Sequence, residues 1–177
     1  MRDVCHDARE GPKDVYVIDD SVIVNHTERK VHKGVNAALK SCSAPWYVTS
    51  EHAASEAGPL LTDLTGNDFP EDSPRLLAGL SPPDQKAPEA LKSVLSKPLI
   101  KESGATVSYL HSDLKVLEAM QKHSNDSLRN LQLYLTDWGD GMKEGAGGIR
   151  RLDIKQFNEL LSWGILMGVD DGCGDDK

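Results

Sequence analysis

Short apolar runs separated by polar and turn-forming residues make up most of this chain. Residues 14–20 hold β-branched and aromatic side chains bounded by acids, and this pattern predicts a buried strand. Further runs predict five more short strands, at residues 46–48, 60–64, 106–110, 131–135 and 149–152. The rigid pair Gly58-Pro59 is expected to lead into the strand at 60–64. The last two strands are expected to pair antiparallel across a glycine-rich turn at 139–148.

Helical spacing of apolar residues occurs between these strands. In residues 28–39, for example, Val31, Val35 and Ala38 fall on one helical face. Start signals predict the other helices, because Pro suits the first helical position and Ser or Asp suits the N-cap. These helices are expected to begin at Ser73-Pro74, at Pro88 (residues 88–96), at Ser112 and at Asp153.

The mixture of strands and helices predicts an α/β or α+β fold. We expect a mixed β-sheet with helices packed on its faces and a small helical C-terminal extension. The length of 177 residues fits a single domain. We therefore predict a flexible N-terminus at 1–13, one domain at 14–162 and an apolar, then acidic, tail at 163–177. A loop-rich insert rich in Pro and Gly occupies about 65–89.

Acidic residues outnumber basic ones by 28 to 20, which gives a formal net charge of −8. This balance argues against binding to nucleic acid, which requires a basic face, and against attraction to an anionic membrane. No apolar run approaches the roughly 20 residues of a membrane-spanning helix. The first residues are polar and do not form a signal peptide. We therefore predict a cytoplasmic protein.

Two short motifs are weighed against simpler interpretations. The sequence His111-Ser112-Asp113 contains the residue types of a hydrolase triad, but adjacent residues point in different directions, whereas a triad is assembled from distant positions. Ser112 as a helix cap is the preferred interpretation. The glycine-rich segment 139–148 lacks the ending of a phosphate-binding loop, so a turn is preferred there.

No metal-binding or catalytic pattern stands out. Neither the acids around Asp137 and Asp140 nor those near the C-terminus match a calcium-binding loop. The cysteines and histidines of the first half also lack paired metal-ligand spacing; these residues are Cys5, His6, His26, His32 and Cys42. We therefore predict no catalytic residues, no metal and no cofactor, and hence a protein that is not an enzyme.

An apolar segment near the C-terminus is a candidate interaction surface. Trp163, Ile165 and Met167 lie in a stretch that is more apolar than a polar tail. One interpretation is that the last helix simply packs into the core. The other is that these side chains, together with Trp46 and Tyr47, contact a protein partner.

Several stretches, taken in order, resemble one known family. They are the strand at 15–19, which ends in an acid, the phrase Ala-Gly-Pro-Leu-Leu-Thr-Asp-Leu at 57–64, the strand and helix at 107–117, and the segment at 149–157. Together they resemble the adaptor or effector-chaperone domain of bacterial type VI secretion. The positions that match its motifs are Gly58, Pro59, Asp63, Arg150 and Asp153. The chain departs from the family pattern at Met120, Leu152 and Ile154.

The resemblance implies a non-enzymatic adaptor in the cytoplasm of a Gram-negative bacterium. Such a protein binds a cognate toxic effector and helps to load it onto the VgrG spike of the secretion system. The alternative is an acidic immunity-type protein, which would neutralise a toxin by placing carboxylates against a basic cleft. Arg150 and Asp153 are expected to act as scaffold residues where a strand passes into a helix.

Overall fold

A computed structural model describes residues 13–70, 72–127, 131–136 and 149–163 of the chain. The strands are β1 (Asp14–Asp19), β2 (Val24–Asn25), β3 (Lys30–Val31), β4 (Trp46–Thr49), β5 (Leu76–Leu77), β6 (Thr106–His111), β7 (Leu131–Thr136) and β8 (Ile149–Leu152). The helices are α1 (Asp20–Ile23), α2 (Val35–Ser41), α3 (Ala54–Thr65), α4 (Pro83–Leu95), α5 (Pro98–Ser103), α6 (Leu114–Ser127) and α7 (Ile154–Trp163).

Six of these strands form one sheet in the order β5-β4-β1-β6-β7-β8, and every pairing within it is parallel. The α/β class is therefore confirmed. Antiparallel pairing occurs only between β2 and β3 among the described residues, in a small separate hairpin. The predicted antiparallel pairing of β7 and β8 is wrong, since Leu133 pairs in parallel with Ile149. Parallel strands need a crossover of about a dozen residues, and 137–148, although rich in glycine, are long enough for one.

Two apolar layers cover the two faces of this sheet. Side chains of β1 alternate between them: Tyr16 and Ile18 join one cluster, while Val15 and Val17 join the other. Because both faces are covered, β1 consists of consecutive apolar residues up to the acids at its end. The first cluster includes Phe157 and Leu160 of α7, and the Tyr16 hydroxyl donates a hydrogen bond to the Leu160 carbonyl at 3.1 Å. The interpretation in which the last helix packs into the core is therefore confirmed for these residues of α7.

The predicted strand at 60–64 is wrong, because these residues belong to α3. Ala57, Leu61 and Leu64 recur at helical spacing and face the core, so the apolar run is one side of a helix. Gly58-Pro59 is consequently an internal part of α3 and not the entry to a strand. Gly58 is required by close packing: a Cβ there would lie 2.6 Å from the carbonyl oxygen of Phe69.

Several helix boundaries also differ from the prediction. Helix α2 begins at Val35 and not at residue 28, because Lys30 and Val31 pair with β2. No helix begins at Ser73-Pro74; Ser73 instead forms a turn that leads into β5. Helix α4 begins at Pro83, five positions before Pro88.

Two predicted caps have different outcomes. The Ser112 cap is wrong, because Asp113 supplies the capping oxygen and accepts a hydrogen bond from the Lys115 N–H at 3.0 Å. The Asp153 cap is confirmed: Asp153 accepts from the Gln156 N–H at 2.9 Å, and Gln156 accepts from the Asp153 N–H at 3.0 Å.

Some predictions fall on residues that the structure does not describe. These are the flexible N-terminus, apart from residue 13, the glycine-rich turn at 139–148, the acids Asp137 and Asp140, and the tail from 164 onward. Within the described ranges, no helix is long and apolar enough to cross a membrane.

Candidate functional site

The sheet changes direction of winding between β1 and β6. From β1 the chain moves to β4 and β5 on one side, and it then returns to place β6, β7 and β8 on the other. Counting only the parallel strands, this is the order 3-2-1-4-5-6, in which ligands bind beyond the carboxyl ends of the strands at the point of reversal. Asp19 ends β1 and His111 ends β6, so both lie at that point.

A cavity of about 490 Å³ opens there, and most of the residues that line it are polar or charged. β1 and the turn after it contribute Asp19, Asp20 and Ser21, while His111, Ser112 and Lys115 come from the β6–α6 junction. Glu51 and His52 follow β4 and complete another wall. Residues far apart in the sequence therefore meet because three parallel strands end side by side.

Asp19 lines this cavity, and both of its carboxylate oxygens have polar partners. Its Oδ1 accepts a hydrogen bond from the Thr49 hydroxyl at 2.8 Å and lies 3.3 Å from Nε2 of His111. Its Oδ2 accepts from the Ser21 N–H at 3.0 Å. Burial alone would raise the pKa of Asp19, but the charge and close contact of His111 and the hydrogen bonding from Ser21 together outweigh burial and hold that pKa well below its ordinary value. Asp19 is therefore ionised at neutral pH.

His111 is buried and held at both ring nitrogens. Nδ1 accepts a hydrogen bond from the Asp113 N–H at 3.0 Å, so the neutral ring carries its proton on Nε2, facing Asp19. Burial would lower the pKa of His111, but the charge of Asp19, its contact with the ring and the charges of Asp113 and Asp20 together outweigh burial and raise that pKa. With both nitrogens engaged, His111 orients Asp19 and is poorly placed to exchange protons with a substrate.

Asp20 follows directly but points to different partners. It is 3% exposed, and its Oδ2 accepts a hydrogen bond from the Ser50 hydroxyl at 2.5 Å. Burial raises the pKa of Asp20, the close approach of His26 and the hydrogen bond from Ser50 oppose this, and the nearby charge of Asp19 adds to the rise. The two adjacent carboxyl groups thus have pKa values shifted in opposite directions, a pattern typical of reactive sites.

Hydroxyl groups and one lysine complete the cavity. The hydroxyls of Ser21 and Ser112 lie 2.7 Å apart and join the β1 and β6 ends of the site. Lys115, in the first turn of α6, is exposed and lines the same cavity. The site therefore combines an ionised carboxylate, hydroxyl donors and a positive charge on a long side chain.

A second cavity of about 460 Å³ adjoins the first, and His26 and His52 line both. Their rings are 4.8 Å apart between centroids. Asp20, His26 and His52 form a group in which one ligand atom from each lies within 4.8 Å of the others. Sequence spacing did not indicate this group, because its members follow β1, β2 and β4 separately.

Of the residues predicted to contact a partner, Trp46 and Tyr47 do not line this cavity. Trp46 is 7% exposed, and Cζ of the Arg75 guanidinium lies 4.0 Å from the centroid of the Trp46 ring. Tyr47 is half-buried on the same strand, β4. Trp163 ends α7, and Ile165 and Met167 lie outside the described residues.

The predicted motif residues are spread over three elements. Gly58, Pro59 and Asp63 lie in α3, and the last two line the second cavity. Arg150 is exposed on β8 beside the Tyr134 side chain, and Asp153 caps α7. These two residues are therefore remote from the β1–β6 reversal.

The signal that could have identified the site is the way two strands end. An apolar run stops at Asp19-Asp20 in β1, and a second stops at His111-Ser112-Asp113 in β6. If both strands had been placed parallel and adjacent, these polar ends would have been expected to meet.

Comparison of the chain with protein-family models, curated proteins and solved structures gave no match.

Proposed function

We propose that this protein is a hydrolase that acts on small phosphate esters and uses Asp19 as its nucleophile. The observation that carries the proposal is the position of Asp19: an ionised carboxylate at the base of a cavity, where the winding of a parallel sheet reverses. The polar and charged residues around the cavity and its volume suit a small polar substrate.

The state of Asp19 favours a nucleophile over a general base. A general base works best when its pKa lies near the working pH, whereas the pKa of Asp19 is held well below its ordinary value. Aspartate carboxylates attack phosphorus in ATPases that form an aspartyl phosphate, and a fixed geometry favours such an attack. Thr49, Ser21 and His111 hold Asp19 in one orientation.

The reaction would proceed in two balanced steps. A carboxylate oxygen of Asp19 forms a bond to phosphorus while the bond from phosphorus to the ester oxygen breaks, and the released alkoxide takes a proton from water. A second water then attacks the aspartyl phosphate, which yields inorganic phosphate and restores the carboxylate. Lys115 and the Ser21 and Ser112 hydroxyls are the groups available to bind phosphate oxygens.

The same surroundings argue against a dinucleotide as the ligand. In this strand order dinucleotides bind at a glycine-rich turn after the first strand, and the second glycine of that turn lets the backbone approach the pyrophosphate. Here β1 is followed by Asp20-Ser21-Val22, without glycine and with two carboxylates at the turn. Without glycine there, side chains occupy the positions at which the backbone would have to approach a pyrophosphate group closely.

The proposal is tested by turnover of p-nitrophenyl phosphate and a panel of small phosphate monoesters, with Mg²⁺, Mn²⁺ or Zn²⁺ present. We expect the wild type to release phosphate and Asp19→Asn to lose at least about 100-fold in kcat. Glu118→Gln, on the exposed face of α6, is the matched control and should keep wild-type activity. Circular dichroism verifies that each variant is folded.

A second measurement addresses the intermediate. Rapid acid quench and mass spectrometry should locate a phosphoryl group on Asp19 of the wild type. If wild type and Asp19→Asn show equal turnover, or no ester is hydrolysed under any of these conditions, the proposal fails.

The adaptor function and the immunity-type alternative stay predictions that rest on sequence. Co-expression with a candidate effector and a VgrG spike protein tests the first, and equimolar inhibition of a toxin tests the second. Either result is independent of the hydrolysis assay. The expectation of a non-enzymatic protein is tested by that assay itself.

A further inference from the structure

We infer that Asp20, His26 and His52 form a binding site for one divalent transition-metal ion, with Zn²⁺ as the best fit. Any role of this ion in hydrolysis rests on the proposed function. The existence of the binding site depends only on the three side chains. They come from three separate segments that follow β1, β2 and β4.

The spacing of the ligand atoms is the first argument. Nε2 of His26 lies 3.3 Å from Oδ2 of Asp20, and two ligands on one tetrahedral ion with bonds of about 2.1 Å lie about 3.4 Å apart. Although Nε2 is buried, it makes no hydrogen bond of acceptable geometry, so the pair is close without being well bonded. An ion between the two atoms would give that nitrogen a partner.

His52 provides the third ligand after a modest movement. The three ligand atoms lie within 4.8 Å of one another, which is wider than the final spacing around an ion. The His52 side chain is 40% exposed and can rotate, while its backbone is held by hydrogen bonds to Ser50 and Gly79. The site is thus nearly formed, with one adjustable member.

The chemistry of the donors selects the ion. Two imidazoles and one carboxylate suit Zn²⁺ and related transition metals, whereas Mg²⁺ and Ca²⁺ prefer sites made wholly of oxygen ligands. Three protein ligands also leave a fourth position for water or a substrate oxygen, as in catalytic zinc sites.

The surroundings support a cation. The Ser50 hydroxyl holds Asp20 by its hydrogen bond, and Glu56 lies 3.8 Å from Nδ1 of His52. Partners behind the ligands orient them and raise their affinity. Asp19 and Glu51 add negative charge near His26.

The open position would face the proposed reaction. His26 and His52 line both cavities, and the larger cavity also holds Asp19. An ion at Asp20 would therefore lie beside the nucleophile and could bind a phosphate oxygen that two carboxylates would otherwise repel.

The test is titration of protein treated with a chelator and then dialysed, using Zn²⁺ alone in isothermal calorimetry and Co²⁺ in absorption spectroscopy. We expect one Zn²⁺ per chain and a visible Co²⁺ band that Zn²⁺ displaces. His52→Ala removes a ligand and leaves the Asp20–His26 pair intact, so it should weaken Zn²⁺ binding at least about tenfold.

His32→Ala is the matched control, because His32 contacts the Ser21 carbonyl and lies outside the three-residue group. It should bind Zn²⁺ as the wild type does. Equal Zn²⁺ affinity in wild type and His52→Ala, or tighter binding of Mg²⁺ than of Zn²⁺, would overturn the inference. Asp19→Asn should retain stoichiometric Zn²⁺ binding even though the proposed turnover is lost, which separates failure of the site from failure of the hydrolase.

Discussion

Asp19 and Asp20 are neighbours in the chain with opposite electrostatic surroundings. Asp19 faces His111 and Thr49 across the β1–β6 and β1–β4 pairings, whereas Asp20 begins α1 and turns toward Ser50 and His26. One peptide unit thus separates a carboxyl group whose pKa is lowered from one whose pKa is raised. This contrast follows from the change of backbone direction where β1 passes into α1.

The lowered pKa of Asp19 predicts a specific pH dependence of stability. A carboxyl group whose pKa is lower in the folded state stabilises the protein above its unfolded pKa, about 3.9, and this stabilisation is lost as the pH falls. We expect Asp19→Asn to lower the free energy of unfolding by about 3 kcal/mol at pH 6 to 7. The difference from the wild type should shrink steadily below about pH 4.

Urea denaturation at a series of pH values, with a chelator present, measures this difference. Asp63→Asn, at an exposed position of α3, is the control and should differ little from the wild type at any pH. A difference between wild type and Asp19→Asn that stays constant from pH 7 to pH 3 would contradict a lowered pKa for Asp19.

At the scale of elements, helix α3 shows how close packing limits residue choice. Gly58 lies inside this helix, where Ala would ordinarily stabilise by about 1 kcal/mol. A Cβ at position 58 would, however, lie 2.6 Å from the Phe69 carbonyl oxygen, and that backbone atom cannot move alone.

We therefore expect Gly58→Ala to lower the free energy of unfolding by about 1–3 kcal/mol, as overpacking does. Ser55→Ala, at an exposed position of the same helix, should be neutral or slightly stabilising. Thermal and urea denaturation of the two variants provide the comparison. If Gly58→Ala proves as stable as Ser55→Ala, the close contact with Phe69 does not limit this position.

The same helix shows where sequence patterns were insufficient. The strands β1, β4 and β6 and the cap at Asp153 were predictable because local side-chain type decides them. In α3, Leu60 and Leu61 are adjacent, and Gly58-Pro59 has the composition of a break, so a strand was the simpler interpretation. Only the contacts of Ala57, Leu61 and Leu64 with the core distinguish the helix, and these contacts are not local in sequence.

Across the whole molecule, the order of strands could not be predicted because it depends on distant pairings. Strand β8 runs parallel to β7, although an antiparallel pair was expected. The placement of β6 beside β1 brings His111 close to Asp19. The polar residues of the candidate site were all visible in the sequence. Their assembly was not, since each strand end contributes only one or two of them.

The sheet order also predicts how local stability is distributed. Strands β1 and β6 are central and covered on both faces, whereas β5 is a two-residue strand at the edge. Within the six-stranded sheet, hydrogen exchange should therefore be slowest in β1 and β6, where it requires global unfolding, and fastest in the β4–β5 pairing.

Exchange measured at several low denaturant concentrations tests this distribution. The amides of β1 and β6 should show the full denaturant dependence of global unfolding, and those of β5 little dependence. Equal protection of β5 and β1 would show that the edge does not open separately.

The carboxyl end of β1 has a consequence for any molecule that enters the cavity. Because Asp19 is the last residue of a central strand, distorting its position would mean loosening the most firmly held part of the sheet. The carboxylate is thus already in position before a ligand binds, so no binding free energy is lost in ordering it. Adjustment would fall instead to the partly exposed side chains around the opening, such as Lys115 and His52.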